Sequence, residues 1–77
     1  MATTQKKPAI TFRRGTVKAA VWENTGKDGI FYTVTFTRSF KSADGKWKNT
    51  SSYGVTDLEN LFGATFDAKL WIMANTL

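Results

Sequence analysis

The hydrophobic positions of this chain change period once, near residue 54: before it apolar and polar residues alternate, and after it apolar residues recur every three or four positions. Alternation marks strands with two distinct faces, and a spacing of three to four marks a helix. Ile10 to Arg13 alternates and runs into Gly15. Thr16 to Trp22 alternates again, with Val17, Ala19 and Val21 on one face and Lys18, Ala20 and Trp22 on the other. The polar stretch ENTGKDG then reads as a loop over residues 23–29. Ile30 to Phe40, IFYTVTFTRSF, is almost wholly β-branched or aromatic and is the strongest strand signal in the chain. Its even positions Ile30, Tyr32, Val34 and Phe36 form the apolar face. The segment KSADG, with Asp44-Gly45, predicts a turn, and a fourth strand is expected from about Lys46 to Tyr53.

Beyond Gly54, Thr56-Asp57-Leu58-Glu59 has the form of a capping box, with Thr56 as cap and Glu59 reaching back. Leu58, Leu61, Phe62 and Thr65 follow helical spacing, and Phe66, Leu70 and Met73 continue an adjacent stripe to an end near Asn75. Gly63 in the middle costs about 1 kcal/mol relative to Ala and favours a bend there. The expected fold class is α+β: a four-stranded antiparallel curved sheet followed by one C-terminal helix, over residues 10–77, with residues 1–9 as a mobile tail.

Pairing the long hairpin gives Val21 opposite Tyr32, Ala19 opposite Val34 and Val17 opposite Phe36, an apolar face throughout. The same register sets Trp22 beside Phe31, Ala20 beside Thr33 and Lys18 beside Thr35. A slip of one residue would mix the two sets, which selects against it. One helix covers one face of the sheet, so the other face is expected to be open to solvent, with Trp22, Phe31, threonines, Lys18 and, from the fourth strand, Lys48.

Composition narrows the chemistry. The 77 residues include no His and no Cys, which removes the commonest general base, thiolate nucleophiles, disulfides and cysteine metal sites. No nucleophile–base pair, glycine-rich phosphate loop or metal-ligand spacing is present either. A non-catalytic protein without cofactor or metal is expected. The 14% aromatic content argues against a disordered chain. No apolar run approaches the roughly 20 residues of a membrane span, and no apolar stretch follows Lys6 and Lys7 as a secretory signal would require. A cytoplasmic location is the default. The net charge of +5 is unevenly spread: residues 1–48 hold ten cations and three acids, for +7, whereas residues 49–77 carry −2. A basic sheet and an acidic helix suggest one face turned towards a polyanion.

Aromatics on an uncovered basic face offer platforms for unstacked bases, and lysines and hydroxyls offer contacts to phosphate and sugar. Trp22, Phe31, Lys18 and Lys48 form the most suggestive set; a cross-strand aromatic clasp of the hairpin explains the same two rings. Phe40 and Trp47 flank the KSADG turn and either extend the stacking surface or close that hairpin. Arg13, Arg14, Arg38, Lys41 and Lys46 are further phosphate contacts or plain solvated charges. Phe66, Leu70, Trp71 and Met73 leave more apolar surface than one thin sheet covers, which predicts a homodimer through the helix.

The order of elements from DGIFYTVTFTRSF through DGKWKNTSSYG to DLENLF resembles the single-stranded-DNA-binding domain of the positive cofactor four transcriptional coactivators. It also resembles small bacterial and phage proteins with a K-x-A-x-W-x-N strand, here Lys18 to Asn24, followed by F-Y-x-V-x-F, here Phe31 to Phe36, and D-G-x-W-K, here Asp44 to Lys48. The resemblance spans about residues 15–72. It implies a dimer with grooves for single strands, with Trp22 and Phe40 as stacking aromatics and Lys18, Lys46 and Lys48 among the phosphate contacts. The longer ENTGKDG loop and the uncharged NTSSYGV link depart from that family. Taken together, the expected function is single-stranded DNA binding with little sequence preference, with DNA favoured over RNA, through Lys18, Trp22, Phe31, Arg38, Phe40, Lys46, Trp47 and Lys48. The alternative is a protein-interaction module, such as a phage or mobile-element adaptor, using the same aromatic face.

Overall fold

The alternation and the helical spacing form four strands and one helix in the computed structural model, which describes residues 7–76. In chain order these are β1 (Ile10–Arg14), β2 (Val17–Gly26), β3 (Gly29–Lys41), β4 (Trp47–Thr50) and α1 (Val55–Asn75). The strands make one open sheet in the order β1-β2-β3-β4, every neighbour antiparallel. Of the tail expected over residues 1–9, residues 1–6 lie outside the described residues. Pairing is already established at Ala9, whose N–H donates to the Val21 carbonyl at 2.7 Å. No helix of the described residues is long and apolar enough to cross a membrane.

The long hairpin differs from the expected one by two residues. Val21 faces Val34, Ala19 faces Phe36, Val17 faces Arg38 and Trp22 faces Thr33. A shift of two preserves both faces, so the apolar set stays together. The cause is the turn. Pairing continues through Glu23, Asn24 and Thr25 to Gly26 opposite Gly29, leaving Lys27 and Asp28 as a two-residue connection. Gly29 takes φ +122°, closed to side-chain-bearing residues, and so lets the chain reverse in that short space. Thr25 and Gly26 are exposed and Glu23 and Asn24 half-buried, so polar residues are tolerated as strand there.

β4 is shorter than expected. The Arg38 guanidinium holds the Ser52 carbonyl at 2.8 Å, so the chain leaves the sheet for the helix after Thr50. The helix starts earlier than the Thr56 cap implies. Gly54 is the cap, the Asp57 carboxylate accepts its N–H at 3.0 Å, and Thr56 and Glu59 are exposed. Both Gly54-x-x-Asp57 and Thr56-x-x-Glu59 have the right spacing. Asp57 is the acid that also meets Arg38 (3.4 Å) and the Thr16 hydroxyl (3.5 Å), which fixes the choice.

The core is Val17, Ala19 and Val21 of β2 against Ala64 and Ala68 of α1, all at most 1% exposed. Small side chains at the contact let the helix lie close to the sheet, and Ile10, Phe12, Val34, Phe36, Leu61 and Ile72 surround it. The helix lies chiefly over β2 and β1 and reaches β3 least. Trp71, expected at a dimer contact, is half-buried against this core, where its ring meets Tyr32 edge-on at 5.3 Å. Phe66, Leu70 and Met73 are about half exposed or more. Tyr53 packs against the same cluster, and its buried hydroxyl has no hydrogen-bond partner among the described residues.

Candidate nucleic-acid interface

Residues directly opposite in a sheet share a face, so the register assigns every strand side chain. The face away from α1 carries Thr11 and Arg13 of β1, and Lys18, Ala20, Trp22 and Asn24 of β2. From β3 it carries Phe31, Thr33, Thr35, Thr37, Ser39 and Lys41, and from β4 Trp47 and Asn49. Along β3 from Phe31 to Lys41 this surface runs about 34 Å, at the usual rise per strand residue.

Of the expected site residues, Lys18, Trp22, Phe31 and Trp47 lie together on this face. Arg38, Phe40 and Lys48 do not. Phe40 pairs with Lys48 and Arg38 with Thr50, which places all three on the side that carries the helix. There Arg38 contacts Ser52 and Asp57, and its guanidinium carbon sits 5.5 Å from the Phe40 ring centre. Lys46 belongs to the turn, where its N–H donates to Asp44 at 3.1 Å. Arg38 and Phe40 follow the even, apolar positions of β3, and for Lys48 the correction follows from turn length. The Ser42 N–H bonds the Lys46 carbonyl, so Lys41 faces Trp47 and Lys48, opposite Phe40, takes the face opposite to the one expected. Arg13 and Lys41 come to the open face by the same parity. Arg14 is on the helix side, paired to Asp67.

The expected pairing of Trp22 with Phe31 does not form: Trp22 faces Thr33 and Phe31 faces Asn24. The Trp22 indole N–H donates to the Thr35 hydroxyl at 2.9 Å. Thr35 is the partner of Ala20, so the indole leans over Ala20, which explains why Ala20 is 5% exposed on a face no helix covers. Asn24 ties Trp22 to β3, donating to the Trp22 carbonyl at 3.2 Å and to the Thr33 hydroxyl at 3.0 Å. An indole laid along a sheet turns one π face outward. Phe31 and Trp47 are 51% and 67% exposed.

Among the described residues, no acidic side chain stands on a strand position of this face. Glu23 is opposite Tyr32 on the helix side, Asp28 and Asp44 are in turns, and Asp57, Glu59 and Asp67 are on α1. The turn employs Asp44: the Ser42 hydroxyl, then the Lys46 N–H, hold its carboxyl below the usual carboxylate range. Arg14 does the same for Asp67. Among the described residues, Arg13, Lys18 and Lys41 therefore stand without an opposing charge among rings, hydroxyls and amides. Such a surface attracts anions and stacks planar groups; among the described residues no set of acids converges to hold a metal. Comparison with family models, curated proteins and solved structures gives no match to this chain.

Proposed function

We propose that this chain binds single-stranded nucleic acid, DNA in preference to RNA, on the helix-free face of its sheet and with little sequence preference. One observation carries the reading: Arg13, Lys18 and Lys41 share an acid-free face with Trp22, Phe31 and Trp47 and a row of threonines. Stacking on exposed rings contributes about 1–3 kcal/mol per base whatever the base, and cations following the backbone displace counterions. The acidic helix lies on the opposite side and offers no basic recognition surface for a duplex groove. The choice of DNA rests on the positive cofactor four resemblance of the sequence. The stacking pair carried over from it, Trp22 and Phe40, is divided between two faces. Stacking is therefore assigned to Trp22, Phe31 and Trp47.

The test is a titration of the protein with oligo-dT, oligo-U and a duplex of equal length at several salt concentrations. Tighter binding to the single strands than to the duplex, weakening as salt rises, is the expected result, with oligo-dT ahead. Equal binding to the duplex overturns the single-strand reading. No binding at low salt overturns nucleic-acid recognition and leaves the aromatic face to a protein partner.

A further inference from the structure

β3 is much longer than the strand that closes it. It spans Gly29–Lys41, whereas β4 pairs with Arg38 to Lys41 alone. The direction of the remaining backbone groups follows from one bond. The Ser39 N–H points to β2's side, donating to Thr16 at 3.0 Å. Peptide groups alternate sides along a strand, so odd residues of β3 bond β2 and even residues point the other way. Arg38 and Phe40 meet β4 there. Ile30, Tyr32, Val34 and Phe36 have no backbone partner on that side among the described residues. The chain cannot cover them from β4, because Ser52 has already turned to the helix side under Arg38.

We infer that this edge pairs antiparallel with the same edge of a second copy, about a two-fold axis through Thr33. The edge complements itself. Tyr32 then pairs with the second copy's Val34 and Ile30 with its Phe36, so every free N–H and C=O of these residues is satisfied and both helices lie on one side of a continuous sheet. Like faces meet, because residues opposite one another share a face. The helix leaves room for this, since its shift towards β1 and β2 opens an apolar groove of about 350 Å³ over Val34, Phe36, Ala68 and Ile72. Thr65, Lys69 and Met73 line its rim, and helical spacing continues that row to Phe62 and Leu58.

The area is of the right size. On the helix side Ile30, Leu58, Phe62 and Met73 are each more than half exposed. At roughly 150–250 Å² for a large buried side chain, they leave on the order of 400 Å² of apolar surface beside the edge. With the strand edge added, this approaches the roughly 800 Å² per partner of a stable interface. A long, flat, apolar edge left open is an aggregation hazard, and closed two-fold pairing removes it. The inference is independent of nucleic-acid binding, and its test uses none.

Sedimentation of the chain across micromolar concentrations is expected to show a dimer. In that dimer the amides of Ile30, Tyr32, Val34 and Phe36 should exchange as slowly as those of Thr33 and Thr35. The chain has no cysteine, so Thr33→Cys introduces one thiol. Across the axis its Cα lies about 4.5 Å from its copy, within disulfide reach. Mild oxidation should cross-link Thr33→Cys and leave a Thr11→Cys control on the outer edge of β1 uncoupled. A monomer at 100 micromolar overturns the inference. So does a dimer in which those four amides exchange freely, or in which Phe66→Cys cross-links and Thr33→Cys does not.

Discussion

Arg14 and Asp67 are joined by two parallel hydrogen bonds, Nε to Oδ2 at 2.8 Å and Nη2 to Oδ1 at 2.9 Å, which tie the first strand to the middle of the helix. The hydrogen bond from Arg14, and then its charge, lower the Asp67 pKa, and the same pairing raises that of Arg14. A carboxyl lowered in the folded state adds stability that is fully present above its unfolded value, about 3.9, and is lost as pH falls through its folded value. Wild type should therefore lose more thermal stability on acidification from about pH 5 to pH 2 than Asp67→Asn does. Because Asp44 titrates in the same window, the informative quantity is the difference between the two melting profiles. Parallel profiles would show that the pair does not couple to folding.

The same guanidinium lies over Gly63. A Cβ there would stand 3.4 Å from the Arg14 guanidinium, ordinary contact with the end of a flexible side chain. Alanine gains about 1 kcal/mol in helix propensity over glycine. Gly63→Ala should thus raise the melting midpoint by roughly 4–8 °C for a chain of this size. A fall in the midpoint would mean that Arg14 cannot shift, and that glycine is required for its seat.

Stacking and charge on the open face separate by their response to salt. Trp22→Ala should weaken oligo-dT binding by about 1–3 kcal/mol with an unchanged salt slope. Lys18→Ala should reduce the log–log slope by about 0.7, one counterion on a single strand. Lys48→Ala, on the helix side of the sheet, should alter neither. Thermal melts must first show each variant folded. A Lys48→Ala effect as large as that of Lys18→Ala would place the bound strand across the other face.

The hydroxyl of Tyr53 is buried and unpaired among the described residues. Removing an unsatisfied buried polar group is neutral or favourable, whereas removing a bonded one costs about 1 kcal/mol. Tyr53→Phe should hold or raise the midpoint of chemical unfolding. A loss of more than about 1 kcal/mol would reveal a partner for the hydroxyl.

The sequence carries the architecture because its two periods are clean: alternation through Phe40, then helical spacing from Leu58. The register of the long hairpin is less legible, since Glu23, Asn24 and Thr25 are as polar as a loop and pair all the same. Only the two-residue turn at Lys27–Asp28 reveals it, and the choice between a long loop and a tight one depends on the φ of Gly29. The face of Lys48 depends on the Ser42–Lys46 bond, a property of the turn rather than of β4, whereas Arg38 and Phe40 follow the even positions of β3 to the helix side. Trp71 is indistinguishable by spacing from the free stripe beside it; the ring of Tyr32, far away in sequence, draws it inward.

The two-residue turn at Lys27–Asp28 also bears on how fast the protein forms. Hairpins close in about 1–10 microseconds, and pairing that spreads from a tight turn joins residues close in sequence. The β1–β2 connection is equally short, and a four-residue link joins β4 to α1. No strand has to wait for a distant partner, so folding is expected to be fast and to begin where β2 meets β3. Gly29→Ala strains the turn, at φ +122°, in the nucleus itself. Its chevron should therefore shift on the refolding arm, with the unfolding arm in place; a shift confined to the unfolding arm would put the nucleus elsewhere in the sheet.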